Sequence, residues 1–214
     1  MYNARDTSAC PNIQTYLHRP GRRAGSSESV SYTMTDEQRQ LSAMTVSRDD
    51  VVAWMWRYTT AQWNRFFGLN VSRVDDLLYV GGEFRADQWP QLRTMGIRAV
   101  LSLQAEREDA FDGPPPERVL RLEVIDFHPP TIEQLHRAVA FVRDAHADGL
   151  ATLIHCHAGV GRAPLTAAAY LVAQGATSVE ALKQVRRARP IIGLNERQMQ
   201  RLIEWEQAVR GYLL

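Results

Sequence analysis

Between an apolar run that ends at Ile154 and an alanine-rich run that starts at Ala163, the chain reads His155-Cys156-His157-Ala158-Gly159-Val160-Gly161-Arg162. Ala151–Ile154 has the character of a strand and Thr166–Val172 that of a helix, so residues 156–162 form the turn between them, at a helix N-terminus. Gly159 and Gly161 let the backbone curl until several amide N–H groups point inward. Such a nest, with the helix dipole behind it, suits a phosphate-sized anion. Cys156 opens this electropositive loop, a setting that favours the reactive thiolate. Arg162 can bring a planar fork of donors to two phosphate oxygens and hold them better as charge spreads in the transition state. His157, Ala158, Gly159, Val160 and Gly161 are then the substrate-binding positions, and Pro164 falls in the first helical turn, where its missing N–H does no harm. The implied chemistry is attack of a cysteine sulfur on a phosphoryl group that the loop holds.

A departing oxygen needs a proton, so a carboxylic acid is expected from a separate loop. Asp126 is the best candidate: in Leu122-Glu123-Val124-Ile125-Asp126-Phe127-His128-Pro129-Pro130 it follows a strand and precedes the prolines at which the chain must leave the sheet. An ordinary turn or helix-start aspartate is the alternative. His155, Cys156 and His157 do not suggest a metal centre, because neighbouring side chains at a strand end point opposite ways and no second pair has ligand spacing. No metal and no cofactor is expected.

These groups need a scaffold. From residue 71 short apolar runs alternate with helical ones: Leu77–Gly82, Ile97–Leu103, Arg118–Val124 and Ala151–Cys156 read as buried strands, and 86–96, 131–149, 164–175, 178–190 and 195–212 as helices. Strands interleaved with helices of this length predict an α/β fold, a mainly parallel sheet flanked by helices. Residues 1–45, rich in Ser, Thr, Arg, Gln and Gly, are expected to be a disordered leader. The segment 46–70 carries Trp54, Trp56, Trp63, Phe66 and Phe67 behind a capping box at Ser47, with Gly68 as its stop, and reads as an aromatic amphipathic helix. It packs on the main domain, 71–214, or lies at a membrane or partner surface as a peripheral contact.

The chain has 214 residues, 45% of them apolar, enough for one domain with a core. Its 25 Lys plus Arg balance 24 Asp plus Glu, and a net charge of +1 gives no general pull toward nucleic acid. Two cysteines, at 10 and 156, make no disulfide framework. Residues 1–30 lack the pattern of a secretory signal, and no apolar run approaches the roughly 18 residues that span a bilayer. A reducing, cytoplasmic setting is expected, with the protein soluble or peripheral to a membrane.

The loop resembles the HCxxGxxR signature of the cysteine-dependent phosphatases. The resemblance runs from about Leu77 to Leu202, with Arg73–Leu103 similar to the opening, and Arg186–Leu202 to the closing helices, of their dual-specificity branch. It implies a dual-specificity phosphatase-like fold and a two-step covalent reaction. Asp126, about thirty residues before Cys156, resembles the family's general acid. His155 resembles the histidine that supports the nucleophile, with a buried, satisfied core histidine as the alternative. Asn195 matches a position where the branch often carries Asn and would help hold the loop or a water; an ordinary helix N-cap is the alternative. One residue departs from the pattern. The family usually has Ser or Thr after the arginine, where its hydroxyl helps the thiolate leave in the second step, and here Ala163 stands. Slower breakdown of the phosphoenzyme is expected, though the same Gly-Arg-Ala-Pro occurs in plant glucan phosphatases. About 140 catalytic residues suit a shallow cleft, so phosphotyrosine, with phosphoserine or phosphothreonine, in a protein is the expected substrate. A phospholipid is the second, because Leu122–Val142 and Thr166–Pro190 resemble the mitochondrial phosphatidylglycerophosphate phosphatases. His157 and Val160 stand where enzymes for polyanionic lipids tend to carry Lys or Arg. A phosphate-binding module without turnover is the rival from another class.

Overall fold

The computed structural model describes residues 39–40, 55, 59 and 68–211. Most of the expected leader, 1–45, and most of the 46–70 helix lie outside the described residues. Within those segments Arg39, Gln40, Met55 and Thr59 are helical, and the Thr59 hydroxyl donates to the Met55 carbonyl at 2.8 Å. At Gly68 the backbone bends and is no longer helical.

Five strands follow: β1 (Val71–Arg73), β2 (Leu78–Gly81), β3 (Ile97–Gln104), β4 (Arg118–Val124) and β5 (Ala151–His155). Their spatial order is β1-β2-β5-β3-β4, with β1 antiparallel to β2 and every other pairing parallel. This is the α/β class and the mainly parallel, mixed sheet that the interleaved pattern predicts. β1 has no counterpart in that reading; three residues are too few to show a period. A 3-10 turn (Ala86–Gln88) leads into α1 (Trp89–Thr94), and α2 (Ile132–Ala147), α3 (Arg162–Ala173), α4 (Ser178–Ala188) and α5 (Glu196–Gly211) complete the elements.

Alternate side chains on each strand face opposite ways, and both faces are covered. Leu78, Val80, Leu101, Leu103 and Ile154 pack with residues of α2 to α5. Tyr79, Val100 and Leu153 pack on the other side with Phe84, Trp89 and Leu92. That is why the inner strands β2 and β5 read as apolar runs, whereas the edge strand β4 carries Arg118, Arg121 and Glu123. β5 lies between β2 and β3, so its C-terminal end opens at the middle of the sheet, where ligands of open α/β folds bind.

The helix that leaves β5 is the innermost. Every residue of α3 from Arg162 to Val172 is buried, and the small side chains of Ala167, Ala168 and Ala169 let its neighbours approach closely. Trp205 of α5 donates its indole N–H to the Ala169 carbonyl at 2.9 Å. α2 and α4 begin with reciprocal capping boxes, Thr131 with Gln134 and Thr177 with Glu180. α3 begins differently: its N-cap is Gly161, and no side chain satisfies its first N–H groups. Those donors are left to the loop before it.

Candidate active site

Four successive carbonyls of the loop after β5 are engaged from outside it. His157 O accepts from the Glu83 amide at 3.0 Å and Val160 O from the Gly193 amide at 2.9 Å. Ala158 O accepts from Asn70 Nδ2 at 3.3 Å, and Gly159 O from Arg189 Nε at 2.7 Å. In a planar trans peptide each N–H points opposite the carbonyl before it. The amides of residues 158, 159, 160 and 161 therefore face inward, and none of them donates to a backbone carbonyl among the described residues. With the uncapped end of α3 they form the anion nest that the glycines suggest. Gly159 is required by the curl: its φ is +68°, and a Cβ there would lie 2.5 Å from the Gly81 carbonyl carbon and the Gly82 nitrogen.

Cys156 sits at the start of the loop, 2% exposed and with a free thiol. Arg162 opens α3 and is 1% exposed. One end of its guanidinium is fixed by protein: Nη1 donates to Val124 O at 2.6 Å, to Leu103 O at 3.3 Å and to Glu106 Oε2 at 3.1 Å. The other edge, Nε and Nη2, is buried and has no hydrogen-bond partner. Asp126 approaches that edge, Oδ1 lying 2.9 Å from Nη2. The distance makes an ion pair, but the alignment is not that of a hydrogen bond, so the fork remains open for a bidentate oxyanion. Burial alone would lower the Arg162 guanidinium, but the facing Cys156 sulfur, Glu106 and Asp126 outweigh it and hold it above its ordinary value. Burial works to raise the Glu106 carboxyl in turn, yet the hydrogen bond from Arg162 and the nearby charges hold it below the ordinary range.

The structure brings Cys156, Arg162 and Asp126 together around this nest. Asp126 follows β4, and its loop is pinned from α5. Asn195 caps that helix reciprocally with Gln198, at 3.0 and 3.1 Å, and also donates Nδ2 to the Phe127 carbonyl at 2.8 Å. The N-cap alternative for Asn195 describes its place in the fold, and its further bond goes to the Asp126 loop rather than to the loop after β5. Phe127 has φ +60°, a left-handed conformation that costs a non-glycine residue roughly 1–2 kcal/mol; the bond from Asn195 helps to hold it. His155 is buried, with Nε2 2.9 Å from Asp109 Oδ2 and Nδ1 3.4 Å from Gln104 Nε2. Its ring is thereby satisfied on both nitrogens, as a core histidine is. His157, expected across the mouth, is half-buried and held through Nδ1 by Glu83 Oε2 at 3.1 Å.

Other residues of the site were not legible as such. Glu106, Arg107 and Asp109, in the connection from β3 to β4, bind Arg162, Glu83 and His155 in turn, which ties this connection to the nest at three points. The acid-rich run Glu106-Arg107-Glu108-Asp109 directly after a buried strand is the one sequence signal for it. Asn70 and Arg189 carry no local signal at all.

Residues 78–208 match the family model described as the catalytic domain of dual specificity phosphatases. Dual specificity protein phosphatase 12 of Homo sapiens is 39% identical over 98 residues, covering 44% of this chain and 29% of the relative. Dual specificity protein phosphatase 1-A of Xenopus laevis is 28% identical over 134 residues, covering 62% and 36%. The chain thus spans about a third of the length of the curated relatives it matches. Among solved structures, PTPMT1 in complex with PI(5)P superposes with a TM-score of 0.62 at 22% identity, over 68% of this chain and 99% of that one. A mouse putative dual specificity phosphatase complexed with zinc tungstate gives 0.62 at 24% identity, over 67% and 91%. At these identities the two structures establish likeness of fold.

Proposed function

The chain belongs to the dual-specificity phosphatase family, whose catalytic-domain model it matches over more than half its length, and from that premise we propose that it hydrolyses phosphomonoesters through a phosphocysteine on Cys156. The observation that carries the reading is a buried cysteine beside four inward amides and an arginine whose Nε–Nη2 edge has no hydrogen-bond partner. The Cys156 thiolate attacks phosphorus, the S–P bond forms as the bond to the leaving oxygen breaks, and Asp126 gives that oxygen its proton. Asp126, now a carboxylate, takes a proton from water; the water oxygen bonds to phosphorus, the S–P bond breaks, and inorganic phosphate and the thiolate are regenerated. The inward amides and Arg162 hold the equatorial oxygens through both steps.

The substrate we infer is phosphotyrosine, with phosphoserine or phosphothreonine, in proteins. The loop between Cys156 and Arg162 carries no Lys or Arg, so it offers donors for one phosphoryl group and little for a polyanion. A phosphoinositide or phosphatidylglycerophosphate is the second reading, favoured by the likeness of fold to PTPMT1 solved with PI(5)P. Wild-type hydrolysis of p-nitrophenyl phosphate, its loss in Cys156→Ser, and a phosphorylated Cys156 trapped for mass spectrometry during turnover test the mechanism. No hydrolysis by the wild type would leave a phosphate-binding module instead. Rates on phosphopeptides against the two lipids then rank the substrates. Sedimentation with liposomes, with and without residues 46–70, tests the peripheral membrane contact; equal failure of both forms to bind removes it.

A further inference from the structure

The rear of the phosphate loop is held by a buried polar cluster that the two chemical steps do not use. Arg189, 3% exposed, stands at the C-terminal end of α4. Besides its bond to Gly159 O, it donates Nη2 to Asn70 Oδ1 at 2.5 Å and Nη1 to Ser72 Oγ at 3.3 Å. Asn70, 4% exposed, accepts the Gly82 amide on its own carbonyl at 2.8 Å while its side-chain amide reaches Ala158 O. A buried arginine is normally neutralised by a carboxylate. Among the described residues no carboxylate pairs with Arg189; its hydrogen-bond partners are all neutral. Burial pulls its guanidinium down to about 10, and the charge that offsets this is the Cys156 sulfur.

We propose that Asn70 and Arg189 are positioning residues for the reaction on Cys156: they hold the Ala158 and Gly159 carbonyls outward, which turns the amides of Gly159 and Val160 onto the phosphoryl oxygens. Arg189 adds a buried positive charge at the rear of the loop. Asn70 lies before the stretch that matches the family model, residues 78–208. The segment between the aromatic run and the sheet therefore contributes to the site. The inference rests on the phosphatase reading, and its test separates the two.

Full-length wild type, Asn70→Ala and Arg189→Lys are compared for tungstate affinity by titration calorimetry and for kcat and KM on p-nitrophenyl phosphate, with near-UV circular dichroism to confirm folding. Lysine keeps the charge but cannot reach Gly159, Asn70 and Ser72 together. Both substitutions are expected to weaken tungstate binding about tenfold and to cut kcat by roughly tenfold to a hundredfold, with a smaller change in KM, because the misplaced amides matter most in the transition state. A folded Asn70→Ala that keeps tungstate affinity and kcat within about twofold overturns the inference, while wild-type turnover that Cys156→Ser abolishes leaves the phosphatase reading intact. Weakened tungstate binding in a protein whose wild type shows no turnover would sink that reading and uphold the brace. Failure of the wild type to bind tungstate overturns the brace. Should Asn70→Ala not fold, Asn70→Asp, which keeps an acceptor for Arg189 and loses the donor to Ala158, is held to the same readouts.

Discussion

Ala163 and Asp126 divide the proposed reaction between them, and each gives a measurable consequence. Ala163 is fully buried in the first turn of α3, next to Arg162. The nearest hydroxyl on the same helix, Thr166 Oγ1, is buried and already donates to the Arg162 carbonyl at 3.0 Å, so it cannot stand in for the missing one. A hydrogen bond to a charged group is worth about 1.5–3 kcal/mol. Ala163→Ser should therefore raise steady-state turnover by roughly tenfold and shrink the pre-steady-state burst; a wild type that turns over fast with no burst would show that the second step is not slow. Asp126→Asn removes the acid and also the carboxylate 2.9 Å from Arg162 Nη2. We expect kcat/KM on phosphoserine peptides, which reports the first step, to fall by about 10²–10⁴, with far less loss of kcat/KM on p-nitrophenyl phosphate, whose leaving group needs little protonation. Tungstate should bind several-fold more tightly to this variant, since the competing charge is gone; an affinity below that of the wild type would mean that Asp126 helps to hold the oxyanion.

At the level of elements, the site is a strand end, a loop and a helix start held from behind by other parts of the sheet. Gly159 shows how little room the arrangement leaves. In Gly159→Ala the residue would keep a positive φ, at roughly 1–2 kcal/mol, and its Cβ would meet the Gly81–Gly82 backbone at 2.5 Å. The loop must open, so tungstate binding and kcat/KM should each fall by about a hundredfold or more, together with a lower melting temperature. Retention of both would show that the curl is not tightly set. The same element explains which parts could be read in advance. The nest, its cysteine and its arginine are contiguous, and the strand and helix around them follow from local periodicity. Asp126 could be singled out because it follows the strand that ends at Val124 and precedes Pro129 and Pro130, and because it resembles the family's general acid. Glu106, Asp109, Asn70 and Arg189 act through contacts separated by 56, 46, 88 and 30 residues respectively. No local pattern encodes such partners; they exist only once the sheet order β1-β2-β5-β3-β4 has brought the strand ends side by side.

Across the whole molecule, two histidines and two carboxylates contribute to how the fold responds to acid. α2 leans on its neighbours through His136, whose ring meets Trp205 of α5 edge-on at 4.7 Å, and through His146, which meets Tyr170 of α3 at 5.2 Å with Nδ1 2.9 Å from the tyrosine oxygen. Burial lowers both imidazoles below their ordinary 6.5, the Asp75 charge and the Leu77 backbone offsetting part of this at His146. A group lowered in the folded state binds more protons when unfolded, so its contribution to stability is complete above the ordinary value and is lost as pH falls from about 6.5 through the folded values. Glu106, and Glu180 through its hydrogen bonds with Thr177 at the start of α4, have the same sign in a lower window, because both are held below their ordinary 4.5 in the folded protein. The buried Tyr170 hydroxyl, raised above 10.0 chiefly by burial, has the opposite slope and loses its contribution only as pH rises past that value. The melting temperature should therefore be level from near pH 7 into the alkaline range, fall on acidification below about 6.5, and fall again below about 4.5. Differential scanning calorimetry across this range checks the profile. In His136→Gln/His146→Gln the first descent should flatten while the second persists; an unchanged first descent would show that α2's histidines do not carry it, and loss of the second in Glu106→Gln alone would tie that step to the charge held on Arg162.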